Sequence, residues 1–465
     1  MEALLSANED ILIPPLSLTV GPGASYITNR RSATLFSSQV SCSPSGVQVA
    51  KWNIASSTEF CDPGSVILSF DVNNLDDAKA LYPATSGAHC LFERYQCRIA
   101  STGVEDLEHY GRTVEGFTRL MPTEKKLNDS ALGFGTEQQQ FAAAGEPTTL
   151  ATAAARRSIL KSLWKAGDHV PKSIPANGSK KVFMKLPLSG IFSSQQKYLP
   201  LWALGSGGIE VSLSLAPANQ AVITHPTPHA TGVEGAAGSG STNYSLSNLR
   251  IECDMISIDS ALQEQYSRNM LEGGALTLHT KLWNTTQVYL PPANGGSFDV
   301  NVSKSLSRVA TCFQTFSEEL TADQQAKGTM YVNNFKMYPA AQEACESHMT
   351  VGSKRFPEFE NKSITAHFWK LMSALGVAKS LPHSLSTDVD SYASNSFTVG
   401  TDLEACPLVM SSGINTTGGQ ELAFHARGFV GADPSVAADV LRRCWMLIHY
   451  EAIVEIRATG CHLLT

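Results

Sequence analysis

The sequence predicts an all-β protein in which two β-sandwiches follow one another along the chain. Runs of alternating apolar and polar residues recur in both halves, with segments rich in Gly, Pro, Ser and Asn between them. Charged residues make up 17% of the chain, below the roughly 25% of an ordinary globular domain, while 35 Gly and 22 Pro indicate many turns. A length of 465 residues accommodates two β domains of about 200 residues each.

Strand-like alternation in the first half is clearest at residues 65–72, 181–188 and 249–255. In the last of these, Leu249 and every second residue after it are apolar, while Arg250 and its alternate neighbours are charged. A period of two predicts strands that place one face on a core.

A short helix separates the two strand-rich halves. Residues 260–271 have helical spacing, begin at Ser260 and are followed by Gly273 and Gly274, which favour the start and the end of a helix. We therefore predict a linker helix at 260–274, between an N-terminal domain of residues 1–259 and a C-terminal domain of residues 275–465.

The second half repeats the pattern of the first. Strands are predicted near residues 276–290, 298–316, 397–403, 422–429 and 445–457. In the last, Met446 and every second residue up to Ile456 are apolar and alternate with His449, Glu451, Glu455 and Arg457. This run is the clearest strand of the sequence.

Each half also contains one predicted helix, because apolar residues recur there at spacings of three, four and seven. The first set is Leu107, Tyr110, Val114, Phe117 and Met121, and the second is Ile364, Phe368, Leu371, Met372 and Leu375. Such a face is expected to pack against a sheet.

Two segments of the first half lack apolar periodicity and are predicted to be long inserted loops, at about 136–180 and 216–245. Within the first loop, residues 156–165 have an amphipathic helical pattern whose polar side contains Arg156, Arg157, Lys161 and Lys165. We interpret this pattern either as a packed surface helix or as a contact for another component.

Charge and termini exclude several classes of protein. The formal net charge of −7 argues against a surface devoted to neutralising phosphates, so specific recognition of a nucleic-acid sequence is not expected. Acidic residues near the N-terminus and Pro14-Pro15 argue against a secretion signal, and nothing resembles a transmembrane helix. The sequons at Asn284 and Asn415 are therefore interpreted as incidental.

Ten cysteines are scattered along the chain without a CxxC pair. We interpret them as reduced core or surface residues, with one or more disulfides or metal sites as the alternative. His225 and His229 are separated by a Pro-Thr-Pro segment that prevents a shared helix, and Cys345 with His348 is a single isolated pair. Neither pair predicts a metal site, and no cofactor is expected.

Motifs of catalysis are also absent from the sequence: it contains no P-loop, no HExxH, no GxSxG and no GxGxxG. The carboxylate pairs Glu105-Asp106 and Glu318-Glu319 are predicted to be solvated surfaces, because neither has an acid or base partner nearby in sequence. The sequence thus predicts no catalytic residues and no enzyme.

Several segments, in order along the chain, resemble the major capsid proteins of polinton-like viruses and virophages. They are EDLEHYGRTVEGFTRLM (105–121), KYLPLWALGSGGIEVSLSLAP (197–217), LRIECDMISIDSALQEQY (249–266), FDVNVSKSLSRVATCFQTF (298–316), SFTVGTDLE (396–404), SGINT (412–416) and HYEAIVEIRATG (449–460). The strongest single signal is Ser305-Leu-Ser-Arg308 with Phe313 and Phe316.

This resemblance implies a double jelly roll, in which two tandem jelly-roll β-sandwiches with short helices and long inserted loops form one subunit. It further implies a homotrimeric, pseudo-hexameric capsomer that tiles the icosahedral shell of a double-stranded DNA virus. The expected partners are neighbouring capsomers, penton and other minor capsid proteins, and an inner membrane or the genome through Arg156, Arg157, Lys161 and Lys165. The expected location is the virion, after assembly inside the host cell.

Two other classes of function remain open from the sequence. A carbohydrate-binding β-sandwich would need aromatic residues grouped on loops, and the loops here are poor in Trp and Tyr. A cupin-like enzyme would need a cluster of His and Glu metal ligands. A glycan array and metal analysis of the purified protein distinguish these classes from a capsid subunit.

Overall fold

The computed structural model describes residues 26–138, 169–195, 197–223, 240–290, 297–318, 345–377, 385, 392, 396–404, 412–418, 420–429 and 441–465. In these residues the strands form two pairs of antiparallel sheets, one pair before residue 260 and one after it, together with a two-stranded antiparallel sheet in the first half. No helix in the described part of the chain is long and apolar enough to span a membrane.

The first half contains a large sheet, a smaller sheet and the two-stranded sheet. Its strands are β1 (Ile27–Phe36), β2 (Ser41–Cys42), β3 (Val49–Ile54), β4 (Phe60–Cys61), β5 (Ile67–Asn74), β6 (Phe92–Ile99), β7 (Thr102–Glu108), β8 (Thr136–Gln138), β9 (His169–Pro171), β10 (Ser179–Met184), β11 (Leu199–Pro200), β12 (Ile209–Leu215) and β13 (Tyr244–Ile258). The large sheet has the order β10-β5-β13-β4-β11, with β1 and β2 also paired to β13. The smaller sheet is β3-β12-β6-β7, and β8 pairs with β9.

The second half contains a further pair of sheets. Its strands are β14 (Leu276–Tyr289), β15 (Phe298–Val302), β16 (Val309–Glu318), β17 (Glu346–Val351), β18 (Lys354–Lys362), β19 (Thr398–Asp402), β20 (Leu422–Arg427), β21 (Leu441–Arg457) and β22 (Gly460–Leu464). One sheet has the order β14-β21-β16-β19, with β22 paired to β21, and the other has the order β15-β20-β17-β18.

Helices connect and flank these sheets. The α-helices of the described residues are α1 (Tyr110–Leu120), α2 (Thr123–Leu132), α3 (Ala218–Ala221), α4 (Ser260–Leu271) and α5 (Ile364–Ala374). Shorter helical turns lie at Pro63–Ser65, Ala88–Leu91, Gly190–Ser194 and Leu201–Gly207. Helix α4 has the bounds that the sequence predicts, and its buried Tyr266 packs against Phe60 and Trp202 of the first half.

Each pair of sheets encloses an apolar core. In the first half, Phe70 of the large sheet meets Phe92 of the smaller sheet edge to face at 5.7 Å. In the second half, Phe316 packs against Phe298 and Phe424 of the facing sheet at 5.8 and 6.2 Å. Aromatic pairs at these distances stabilise a core beyond the area they bury. The inward residues are those that the alternation of β13 and β21 predicts.

The structure corrects several predicted boundaries. Leu107 belongs to strand β7, whereas the predicted helix starts only at Tyr110. The predicted strand at 298–316 is in fact two strands, β15 and β16, which lie in different sheets. The predicted strand at 181–188 is shorter than expected: β10 begins at Ser179, inside the predicted loop at 136–180, and ends at Met184, before Pro187. The predicted loop at 216–245 includes helix α3 and the first residues of β13, Tyr244 and Ser245.

Other predictions concern residues that the structure does not describe. The basic residues Arg156, Arg157, Lys161 and Lys165, the pair His225 and His229, Glu319 and Cys406 all lie outside the described residues. The other nine cysteines are buried, and no disulfide joins any two of these described residues.

Candidate functional site: the junction between the two sandwiches

The pair Cys345 and His348 does not form one site. The buried thiol of Cys345 lies 3.7 Å from Nδ1 of His367 on the core side, whereas His348 lies on the opposite face of β17 and stacks on His425. His367 is itself buried and is 2.7 Å from the Ser347 hydroxyl, so this pair has no access to a substrate. In the described ranges, no group of three or more His, Cys, Asp or Glu side chains is arranged to hold a metal ion.

Both faces of strand β21 are buried. One face lies in the core of the second sandwich, and the other packs against residues of the first half of the chain. Met446 and Ile448 point into the core of the second sandwich, as the alternation predicts. Trp445, Leu447 and Glu451, on the other face, are also 4–6% exposed. A single sandwich would leave this face in water, so its burial marks a contact between the two halves.

Helix α1 supplies the apolar centre of this contact. The ring of Phe117 meets Trp283 of β14 at 5.1 Å and Phe313 of β16 at 5.3 Å, both edge to face. Trp283 in turn stacks on His449 of β21 at 4.4 Å. A helix of the first half therefore packs against the outer face of a sheet of the second half.

The Trp445 ring lies between two side chains at the start of α1, the guanidinium of Arg112 and the imidazole of His109. The guanidinium of Arg112 lies 4.7 Å from the centre of the Trp445 ring, and His109 meets the ring edge to face at 4.5 Å. His109 has a left-handed backbone conformation (φ 54°), and its Nδ1 is 2.5 Å from a carboxylate oxygen of Glu93. Such cation–π contacts are strongest where water is excluded, as it is here.

Glu105 is a buried carboxylate close to the junction, so the prediction of a solvated surface is wrong for this residue. It is 5% exposed and accepts hydrogen bonds from the hydroxyls of Tyr95 and Ser189, at 2.9 and 2.8 Å. The backbone N–H groups of Gly190 and Ile191 also donate to it. Burial raises the pKa of Glu105, against the opposite effect of these donors.

The turn that Glu105 holds is pressed against β14. A Cβ at Gly190 would clash with the backbone oxygen of Lys281 and with the Leu282 side chain, so only Gly allows this approach. Gln195, just after the turn, donates from Nε2 to the backbone oxygen of His279 at 3.2 Å. The carboxylate thus positions one half against the backbone of the other.

Further hydrogen bonds tie β7 to the second half. The hydroxyl of Thr102 donates to the backbone oxygen of Cys461 on β22 at 2.8 Å, and the hydroxyl of Thr285 on β14 donates to the backbone oxygen of Glu108 at 2.9 Å.

A positive charge is disfavoured at His449, in the centre of the contact between the two halves. Burial and nearby Lys281 lower the pKa of His449 to about 4.

An aromatic centre with a hydrogen-bonded rim is the usual anatomy of a specific protein interface. The aromatic and hydrogen-bonding contacts between the described residues hold the two sandwiches in one relative orientation. The sequence did not predict Arg112, Trp283 or Trp445 as junction residues, because the residues they meet are distant in sequence. The one available signal was the presence of bulky Trp445 and Leu447 among the polar residues of β21.

No protein-family profile matches this chain, and no characterised protein sequence matches it either. Solved structures do match. VP54 of PBCV-1, in a crystal structure fitted into a cryo-EM reconstruction of the virophage Sputnik, superposes with a TM-score of 0.58 at 10% identity. That match covers 96% of this chain and 98% of VP54.

Two further capsid structures agree with this result. The Faustovirus major capsid protein has a TM-score of 0.56 at 9% identity, covering 95% of this chain and 92% of that protein. The Sputnik virophage structure has a TM-score of 0.54 at 10% identity, covering 96% and 90%. The likeness at this identity lies in the fold, which runs through both sandwiches. This chain therefore has the double jelly-roll fold of these viral major capsid proteins, which confirms the predicted fold class.

Proposed function

We propose that this chain is the major capsid protein of an icosahedral double-stranded DNA virus, a structural subunit of the virion without enzymatic activity. The observation that carries the proposal is the likeness to capsid subunits over 95–96% of this chain and at least 90% of theirs. The aromatic and hydrogen-bonded contact between the sandwiches also supports it, because it makes the two sandwiches one structural unit.

The proposed working unit is a homotrimer. Three copies of two linked sandwiches give six sandwiches in a closed ring, and a six-sided outline lets one gene product tile a facet with repeated contacts. Contacts within the trimer are expected to be obligate, whereas contacts between capsomers add up by repetition. Five-fold vertices then require penton and other minor capsid proteins.

The domain limits of 1–259, 260–274 and 275–465 belong to the same proposal, with the linker helix between two jelly rolls. The inserted loops are proposed to project from the capsomer, since segments without apolar periodicity gain little from burial. The basic residues Arg156, Arg157, Lys161 and Lys165 are proposed to contact an inner membrane or the genome.

Light scattering and native mass spectrometry of the purified recombinant chain test this function. The expected mass is about 150 kDa, three times the chain mass of 49.9 kDa. A stable species of 49.9 kDa at micromolar concentration would contradict the trimer. A glycan array on the same sample tests the alternative of a carbohydrate-binding β-sandwich, and specific glycan binding by a monomer would favour that alternative.

A further inference from the structure

Two histidines stack on the outer face of the sheet β15-β20-β17-β18. His348 of β17 and His425 of β20 are directly opposite one another in the register of the sheet. Their rings are 4.7 Å apart with an interplanar angle of 21°. Both side chains are partly exposed, since the core side of these strands is occupied by Met349 and Phe424.

The partners of the two rings differ. His425 Nδ1 lies 2.6 Å from Asp299 Oδ1, and because a carboxylate only accepts, this nitrogen carries a proton. His425 Nε2 lies 3.1 Å from the Thr350 hydroxyl, which can either donate or accept. His425 thus has an acceptor at Nδ1 and, at Nε2, a hydroxyl that can take either role.

His348 cannot gain a proton in this way. Its Nδ1 lies 3.2 Å from Nη2 of Arg355, and a guanidinium only donates, so this nitrogen must be unprotonated to accept the bond. A charged His348 would face Arg355 and the stacked ring of His425. Glu360 is 2.5 Å from Arg355 and 3.7 Å from His348 Nδ1, within reach of either cation.

All four strands contribute charges around the pair. The titratable and charged groups are Asp299 on β15, Glu346 on β17, Arg355, Glu360 and Lys362 on β18, and Arg427 on β20, with Glu346 and Lys362 joined at 3.1 Å. Burial, Arg355 and His425 lower the pKa of His348, and this effect exceeds the opposite effect of Glu360 and Asp299. Burial is the largest of these effects, and the repulsion by Arg355 and His425 adds to it.

We propose that the His348–His425 pair is an acid-sensitive switch, in which protonation of His348 breaks its bond to Arg355, draws Glu360 away from Arg355 and loosens β18 from β17. Above about pH 6.5 both folded and opened forms are neutral at His348, and the sheet loses nothing. As the pH falls below this value, the opened form binds the proton more tightly, so protection is lost. The inference goes beyond the proposed capsid role and does not depend on it.

Hydrogen exchange of the full chain tests the switch. At pH 5.0, relative to pH 7.5 and after correction for intrinsic rates, we expect amides of β17 and β18 to exchange several-fold faster, because the opened form binds the proton of His348 more tightly. In His348→Asn, which keeps an acceptor near Arg355 and does not titrate, the acceleration should fall below about twofold. His462→Gln, an exposed strand histidine in the same half, should retain the wild-type response.

Arg355→Gln gives a second, independent variant, because it removes the bond that protonation breaks and should also suppress the acid response. An equal acceleration in wild type and in both variants would overturn the proposal. The absence of any acceleration in β17 and β18 of the wild type would also overturn it.

Discussion

The two sheets of the second sandwich share one aromatic core, but one outer face is buried and the other is partly exposed to solvent. The face of β14-β21-β16-β19 is covered by helix α1, and its Trp445 is 5% exposed. The face of β15-β20-β17-β18 leaves His348 and His425 partly exposed among charged neighbours. Whether an outer face is buried is therefore decided by a partner distant in sequence, and the strand's own alternation does not reveal it.

Removal of the central aromatic residue of the covered face should have the largest effect. Trp445→Ala deletes the ring between Arg112 and His109, and we expect the free energy of unfolding to fall by about 4 kcal/mol. Urea unfolding measures this change. Trp369→Ala, at a Trp that is 54% exposed on α5, is the matched control and should change stability by less than about 0.5 kcal/mol. Equal losses would show that the junction does not stabilise the fold.

The buried carboxylate should come next. Glu105→Gln places an amide NH₂ against donors that now meet a carboxylate, and we expect a loss of about 2 kcal/mol. Asp106→Asn, one residue further on an exposed pair with Arg94, should cost less than about 1 kcal/mol. A larger loss in Asp106→Asn than in Glu105→Gln would contradict the positioning role of Glu105.

Acid should weaken the covered face through His449. Its folded pKa of about 4 lies below the unfolded value near 6.5, so the unfolded chain binds more protons and stability is lost as the pH falls through this window. We expect a loss of about 2 kcal/mol between pH 7.5 and 4.5, allowing for partial solvent screening. In His449→Phe, which keeps a ring against Trp283, this loss should shrink. If His449→Phe loses as much stability between pH 7.5 and 4.5 as the wild type does, the acid sensitivity comes from groups other than His449.

The smallest effect is expected at a fully solvated pair. Arg268 and Glu264 on helix α4 are 3.4 Å apart, and both side chains are more than two-thirds exposed. Arg268→Ala should change the thermal midpoint only marginally, by the equivalent of less than about 0.5 kcal/mol. A clear destabilisation would indicate that the linker helix depends on its surface charges and not on Tyr266 and the other buried residues.

Local patterns predicted the elements well and the junction poorly. The alternation around Leu249 and Met446 identified β13 and β21, and the flanking Ser and Gly residues identified helix α4 with its bounds. Leu107 was assigned to a helix because its spacing to Tyr110 fits one, although β-pairing with Tyr95 keeps it in β7. Glu105 was assigned to the surface because three of its four donors, Ser189, Gly190 and Ile191, are more than 80 positions away in sequence.

We propose that the two sandwiches form one fixed unit, three of which build a capsomer. Electron cryomicroscopy of the purified recombinant chain tests it most directly. We expect closed trimers with six upright lobes, in which the two lobes of each chain keep the same relative orientation in every particle. Monomers, or particles whose paired lobes vary in orientation, would contradict the claim.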